Sequence, residues 1–346
     1  MNAVHDRALP VVGIVVVSYK SAALTVDCLA SVAAERASAA LDIRCVVIDN
    51  ASGDEPVVAA AIAANGWSDW ARVVVAPRNG GFAYGNNLGL KELERDGRVD
   101  FVHLLNPDTV LRPGAVVALT GFLQAHPRAG IAGGVFENGD GSEWAIAFRF
   151  PSALGEVEQG VKVGLVSRLL AKACVPMNMG ASAAPADWLS GASMMIRREV
   201  FDRIGGLDET FFLYFEETEF CHRAKRAGFE VWYVPASRVV HIAGQSTKVT
   251  ERNVGPKRLP SYWFDSRRLY FTLTRGRAYA AWADALAIAA GGAGLLKSAL
   301  LGRLHGHVPH FLRDLWRHSA LSGHAGVARV DVPRFTRSDQ ATSSSR

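Results

Sequence analysis

Four apolar, β-branched runs recur through the first third of the chain, with helix-length segments between them. They are VVGIVVVSY (residues 11–19), IRCVVID (43–49), RVVVAP (72–77) and FVHLLN (101–106). Runs this continuous, without polar alternation, suit strands covered on both faces. Residues 22–35 read as a helix, and the turn ASGDEP leads into a second helix through Ala64. A Gly/Asn-rich turn precedes a helix near 84–95, and Pro113 opens another at its first position. Strands joined by helices predict an α/β chain with a doubly wound, mostly parallel sheet. Sheets of this kind bind ligands beyond the carboxyl ends of their strands.

Polar residues stand at those ends: Ser18 and Tyr19, Asp49 and Asn50, Asn79, and Asn106 to Asp108. The stretch LLNPDTVL (104–111) passes from an apolar strand into an amide, a proline and a carboxylate. Asp108 can hold a hard divalent cation that keeps positions open for phosphate oxygens. Alternatively it caps the turn that follows. Neither G-x-G-x-x-G nor G-x-x-x-x-G-K-[ST] occurs, so the usual glycine cradles for a dinucleotide or ATP are missing. Asp49, at the end of the second strand, suits a nucleobase or ribose. The segment NGGFAYGNNLGL (79–90) reads as a ligand wall or as a flexible helix entry. Its Gly80, Gly81 and Gly85 let backbone approach a ligand closely or adopt positive φ, and Asn79, Asn86 and Asn87 offer neutral donors and acceptors.

A second cluster is FLYFEETEFCHR (212–223). Glu216, Glu217 and Glu219 begin a helix that stops at Gly228. Acids in a first turn complement the helix dipole, which is one account of them. The other follows from Phe211 to Phe215: carboxyls beside apolar surface and beside each other hold their protons more tightly, as a general base working near neutral pH requires.

Composition bounds the remaining possibilities. With 346 residues, 49% hydrophobic and 21% charged, the chain can form one large domain or one domain with an extension. A net charge of +5 fits an anionic small ligand, a membrane face or a plain solvated surface. No nucleic-acid motif appears, so no nucleic-acid partner is expected. Cys28, Cys45, Cys174 and Cys221 are scattered without metal-like spacing, which suggests a reducing cytoplasm. MNAVHDRALP does not read as a signal peptide, and no uninterrupted apolar stretch reaches about 20 residues.

The segments VVVSYKSA, VVIDNASGD, RNGGFAYGNN, LLNPD, WLSGASMMIRREVFDRIGGLDETFFLYFEETEFCHRAKRAGFEVWYVP and VVHIAGQS run in this order from about residue 11 to 247. Together they resemble family 2 glycosyltransferases of the GT-A, Rossmann-like fold, in particular a bacterial rhamnosyltransferase-like branch. The resemblance implies a donor site of Ser18, Tyr19, Asp49, Asn50, Asn79, Gly81, Phe82, Asn86, Asn106 and Asp108. Asn106 to Asp108 stands where the family has an Asp-x-Asp metal motif, so Asp108 becomes the main carboxylate ligand of Mg²⁺ or Mn²⁺. His241, otherwise a strand-end or core histidine, matches a histidine near metal and diphosphate. Glu217 occupies the place of the family's catalytic Asp, one methylene longer, with Glu216 as the alternative base. Trp188, Gly191, Ala192 and Glu219 fall on the acceptor side, although Trp188 equally suits core packing. The implied activity is metal-dependent, inverting transfer of a sugar, L-rhamnose from dTDP-L-rhamnose, to a lipid-linked or glycan hydroxyl in cell-envelope polysaccharide synthesis. Alternatives are a UDP- or GDP-hexose donor, a nucleotidyltransferase or other nucleotide enzyme, and a non-catalytic sugar-binding relative.

On this reading residues 1–250 form the catalytic domain, with a nucleotide-sugar half at 11–135 and an acceptor half at 136–250. Residues 151–186 lack periodicity and read as a loop over the site. Residues 251–330 form a helical extension; its second helix is apolar, flanked by Arg and Lys and interrupted by Asp284, Gly291 and Gly292. That helix suits peripheral contact with the inner face of the plasma membrane, packing on the catalytic domain, or a homodimer contact. Residues 331–346 are expected to be disordered.

Overall fold

The computed structural model describes residues 9–138, 140–144, 146–161, 163–241, 257–302, 307–323 and 326–335. The expected strands and helices form, in order. Strand β1 (Val11–Ser18) is followed by helix α1 (Ala22–Ser38), β2 (Asp42–Asp49), α2 (Glu55–Ala64), β3 (Ala71–Val75), α3 (Gly81–Glu94) and β4 (Phe101–Leu105). The chain continues through β5 (Thr109–Leu111), α4 (Ala115–Ala125), β6 (Ala129–Glu137), β7 (Glu143–Trp144) and β8 (Ala147–Phe148). Helices α5 (Ala153–Val161) and α6 (Gly164–Leu169) precede β9 (Ala184–Ala186), β10 (Trp188–Leu189) and β11 (Ser193–Arg197). Then come α7 (Arg198–Ile204), α8 (Glu216–Arg226), β12 (Glu230–His241), α9 (Ser261–Arg275), α10 (Arg277–Leu300) and α11 (Phe311–His318).

Among the described residues the main sheet runs β3-β2-β1-β4-β11-β6-β12-β5, with β7 on β6 and β9 on β12. Strands β3, β2, β1 and β4 are parallel, as are β6 and β12. Strand β11 runs antiparallel between β4 and β6. The sheet is therefore mostly parallel, and its core is the set of β-branched runs read from the sequence: Val12, Ile14, Val15, Val16, Val46, Val47 and Ile48 are wholly buried. Helix α3 approaches β1 through Gly85 and Gly89, where an added Cβ would sit 2.6 Å from Val17 Cγ1 and 2.3 Å from Val15 Cγ1. These two glycines serve helix-to-sheet packing, so Gly85 is not the ligand-facing residue expected of it.

Other expectations change as well. Pro113 lies before α4 rather than in its first turn. Gly114, with φ +82°, turns the chain, and the helix starts at Ala115. The buried Glu35 of α1 explains that start: its carboxylate accepts from the backbone N–H of Gly114 (2.8 Å), Val116 (2.8 Å) and Val117 (3.2 Å). The 151–186 segment is not a plain loop, because it contains α5 and α6, and α5 packs along α10. Residues 331–335 are placed on the main α/β core, where buried Phe335 meets Phe201 edge-on. The remainder of the tail and the domain boundary near 250 lie outside the described residues.

Helix α10 runs unbroken through Asp284, Gly291 and Gly292. Asp284 faces inward to Arg267 of α9, and both are buried. Arg267 also donates to Glu156 of α5 at 3.1 Å, while Asp284 Oδ2 accepts from the backbone N–H of Ala320 at 2.7 Å. One ionic cluster thus joins three helices, and removing Asp284 leaves buried Arg267 with Glu156 alone and takes the partner from the Ala320 N–H. We expect Asp284→Ala to lower stability by about 3–5 kcal/mol, measured as a lowered denaturant midpoint with an unchanged far-ultraviolet spectrum before the transition.

Candidate active site

Strand register brings the polar tips together: Ser18 stands opposite Asp49, and Asp49 opposite Val75. What the side chains do there differs from tip to tip. Ser18 is fully buried, with its hydroxyl within hydrogen-bonding distance of Ser21 (3.1 Å) and Thr25 (2.9 Å) at the start of α1. It organises that turn rather than facing a donor. Asp49 is also fully buried. Its Oδ1 accepts from the backbone N–H (2.9 Å) and hydroxyl (2.5 Å) of Ser52, and its Oδ2 from the N–H of Gly53 (3.2 Å) and Glu55 (3.3 Å). The carboxylate shapes the β2–α2 loop instead of presenting itself to a base. Tyr19 is half-buried, with the Lys20 ammonium 5.4 Å from its ring centre.

The amides behave in the same way. Asn50 Nδ2 donates to Asn79 Oδ1 (3.0 Å) and to the carbonyl of Gly81 (3.2 Å), while its Oδ1 accepts from Gly80 N–H (3.2 Å). Asn86 donates to the Phe82 carbonyl at 2.9 Å, within its own helix. Asn87 clamps a distant loop, accepting from Leu207 N–H (3.0 Å) and donating to the Leu207 carbonyl and to Glu209 (both 2.9 Å). At Gly81, φ is +85° and a Cβ would fall 1.8 Å from the carbonyl oxygen of Phe212; next door, Phe82 N–H donates to that oxygen at 3.0 Å. The glycine therefore admits the loop that leads to the glutamates.

Asp108 and His241 meet. They arrive from the turn after β4 and from the end of β12, with His241 paired to Thr109 in the β5–β12 ladder. Asp108 Oδ1 lies 3.3 Å from His241 Nε2, and both residues are buried. The imidazole stacks on Trp144 (centroids 5.2 Å apart) and meets the edge of Phe136 (5.1 Å). Its Nδ1 is buried without a partner, so the ring is held by shape rather than by a second hydrogen bond. Trp144 was not anticipated; it lies 97 positions before the histidine it frames, beyond the reach of local pattern. The oxygen and nitrogen donors suit a divalent cation. No group of three His, Cys, Asp or Glu positioned for a metal occurs among the described residues, so oxygens from substrate or water would have to complete the shell.

The glutamates occupy the start of α8. Tyr214 and Phe215 precede it with φ of +71° and +69°, a left-handed pair that costs about 1–2 kcal/mol per residue and must be held by its surroundings. Helix α9 supplies the hold. Ser266 donates to the Leu213 carbonyl at 3.0 Å, and Phe215 packs on Trp263 (5.8 Å) and Tyr270 (5.6 Å). Glu216 points into the protein. Burial first, and the charge of Glu217 second, push its carboxyl well above the usual range. Glu217 is half-buried, and burial raises its carboxyl too, opposed by its own backbone N–H and those of Gly191 and Thr218. Oε2 of each glutamate is shielded and without a hydrogen-bond partner. A Cβ on Gly191 would touch Phe82 Cε1 at 3.0 Å and lie 3.6 Å from Glu217 Cβ, so Gly191, Phe82 and Glu217 share one place. Ala192, the next residue, accepts from Asn106 N–H at 2.9 Å. The 190–192 turn thus spans from the β4 tip to Glu217.

Two acceptor-side expectations need correction or narrowing. Glu219 does not join this group: it is buried on another side of α8, where both its oxygens accept from Arg223 Nε at 2.8 Å. Arg223 in turn donates to the carbonyls of Ile204 (2.8 Å) and Gly206 (2.9 Å), a structural clamp that was not anticipated. Trp188 stacks on Phe148 with centroids 4.3 Å apart and donates its indole N–H to the Arg149 carbonyl at 2.9 Å. A cavity of about 820 Å³, lined among others by Phe122, Val135, Met179, Tyr233 and Arg238, includes none of the predicted site residues.

Comparison with known proteins gives the family and the fold. Residues 10–255 match the family model described as glycosyltransferase like family 2. The chain is 32% identical over 149 residues to the N-acetylglucosaminyl-diphospho-decaprenol L-rhamnosyltransferase of Mycobacterium tuberculosis (strain CDC 1551 / Oshkosh), covering 43% of this chain and 48% of that protein. It is 26% identical over 166 residues to rhamnosyltransferase WbbL of Escherichia coli (strain K12), covering 47% of this chain and 61% of that one. The matches thus span about half to three fifths of these relatives' lengths. Among solved structures, GalNAc-T7 with UDP, GalNAc and Mn²⁺ superposes with a TM-score of 0.55 at 16% identity, covering 91% of this chain and 60% of that chain. With the model match spanning more than half its length, the chain belongs to glycosyltransferase family 2 and carries the GT-A fold.

Proposed function

We propose that this glycosyltransferase moves L-rhamnose from dTDP-L-rhamnose to a hydroxyl of a lipid-linked acceptor, with inversion and with the help of Mg²⁺ or Mn²⁺. The observation that carries the mechanism is the 190–192 turn, which joins the tip bearing Asn106 and Asp108 to Glu217. The donor and acceptor classes draw support from two relatives named as rhamnosyltransferases, one of them named for a decaprenol-diphosphate acceptor. A cytoplasmic reaction at the inner membrane face agrees with four free thiols, three of them buried.

Asp108 and His241 would hold the cation, which when bound supplies positive charge to the departing diphosphate. Glu217 is the base. Its half-buried carboxylate beside Gly191 takes the acceptor's hydroxyl proton as that oxygen bonds to the anomeric carbon. The carbon–phosphate oxygen bond breaks from the opposite side, its electrons leave with the nucleoside diphosphate, and one displacement inverts the centre. Glu216, turned inward, lies buried beside Glu217 at the start of α8. Asp49 and Asn50 act by holding the loops around the nucleotide, and Trp188 by walling the acceptor side with Phe148.

A panel of nucleotide sugars, read as nucleoside diphosphate release with and without Mg²⁺ or Mn²⁺, tests the assignment. Release from dTDP-L-rhamnose is expected to exceed that from UDP- and GDP-hexoses; the reverse order would remove the rhamnosyl reading. Glu217→Gln should cut transfer by about a hundred- to ten-thousand-fold, with an intact fold. Asp108→Ala should abolish transfer and the response to metal. Near-normal activity in both variants would discard the site. Because burial raises the Glu217 carboxyl above its ordinary 4.5, activity should fall as pH drops through a value higher than that.

Glu216 gives a separate stability test. Its proton is held more tightly in the folded chain than in the unfolded one, so its contribution is complete below the ordinary 4.5 and is lost as pH rises through the raised folded value. Glutamine cannot ionise. The Glu216→Gln variant should therefore melt progressively higher than the parent as pH rises above the ordinary 4.5, and the gap should shrink on acidification.

A further inference from the structure

Helix α10 has two unlike faces. Ala280, Ala283, Asp284, Ala287, Ala290 and Gly294 are buried against α5, α9 and α11. Trp282, Ala289, Ala293, Leu296 and Leu300 are exposed, spaced by seven, four, three and four residues. That spacing places them along one side of the helix, and 18 residues at 1.5 Å each make a stripe about 27 Å long. Trp282 is 58% exposed, Leu296 62% and Leu300 80%, and no charge interrupts them. Leu295 and Leu301 widen the stripe at its carboxyl end.

The surroundings add charge of one sign. Lys297 donates to the Val161 carbonyl at 3.0 Å, so the end of α5 and the following α6 lie at the same end of the bundle as Leu295 to Leu301. Helix α6 exposes Leu165 and Leu169, four residues apart, with Arg168 between them and Lys172 just beyond. Arg277 is exposed at the other end of α10. Over residues 163–173 and 277–302 the sole carboxylate is Asp284, which is buried and paired with Arg267. Glu158 of α5, half-buried, accepts from the Ser167 hydroxyl of α6 at 2.7 Å. An extended apolar strip bordered by the exposed cations Arg168, Lys172 and Arg277 matches the interface of an anionic bilayer.

From this we infer that α10 and α6 form a docking surface for an anionic phospholipid membrane, with α10 lying in the plane of the interface. Its length and composition would also allow it to cross a bilayer. The commitment of its inner face to three other helices and to the Arg267–Asp284 pair keeps it on the surface instead. This inference stands apart from the choice of donor and acceptor.

Flotation of the full chain with vesicles tests it. The parent protein is expected to float with phosphatidylcholine vesicles containing phosphatidylglycerol, and about tenfold less with phosphatidylcholine alone. The pair Leu296→Glu with Leu300→Glu, and the pair Arg168→Glu with Lys172→Glu, should each reduce flotation about tenfold or more. Both should keep the parent's melting temperature and its release of nucleoside diphosphate in the absence of vesicles. Three results would overturn the inference: no flotation with the anionic vesicles, flotation of both variants equal to the parent, or a parent dimer in solution that the leucine variants convert to monomer. Flotation needs no turnover, so its failure and a failure of the transferase reading are told apart.

Discussion

The bond between Asn106 N–H and the carbonyl of Ala192 is the point on which the site hangs. It follows from the antiparallel entry of β11 between β4 and β6, a strand that arrives from a distant part of the chain. Had β6 paired directly with β4, the sheet could still close, but the 190–192 turn would have no place at the β4 tip. With β11 inserted, one side of that turn meets the strand leading to Asp108 and the other touches Glu217. Parallel strands bring ligands to their carboxyl ends in general; here the turn before a single antiparallel strand brings the start of α8, with Glu217, beside the same edge.

Much of the architecture could be read from local pattern. The apolar runs became the strands predicted for them, because a strand covered on both faces leaves an uninterrupted signature. Helix starts were less legible. Pro113 pointed to a first turn, but the cap came from Glu35, about eighty residues earlier. The glycines of the 79–90 segment divide: Gly81 has the positive φ that a glycine there allows, whereas Gly85 accommodates Val17 of β1, which a local motif does not reveal. Asp49 and Ser18 stand at strand tips as expected, yet their side chains turn to neighbouring backbone and hydroxyls. Position along a strand predicts where a residue is, not which way its polar atoms are committed. Asp108 and His241 come together in the sequence only through the resemblance, since they lie 133 positions apart.

The carboxyl-terminal helices are part of the site's construction rather than an attachment to it. Ser266, Trp263 and Tyr270 of α9 hold the loop that carries two consecutive left-handed residues into α8. Helix α9 is in turn fixed to α10 and α5 by its Arg267. A chain of contacts therefore runs from the exposed stripe of α10 to the glutamates.

The close approach at Gly81 restricts how such a site can change over time. A β-carbon there would collide with the Phe212 carbonyl, so the hairbreadth between two loops distant in sequence can be filled only if both shift together. A single substitution that adds a side chain at this point is blocked, and change is channelled to walls that do not set the spacing between the α3 entry and the loop leading into α8.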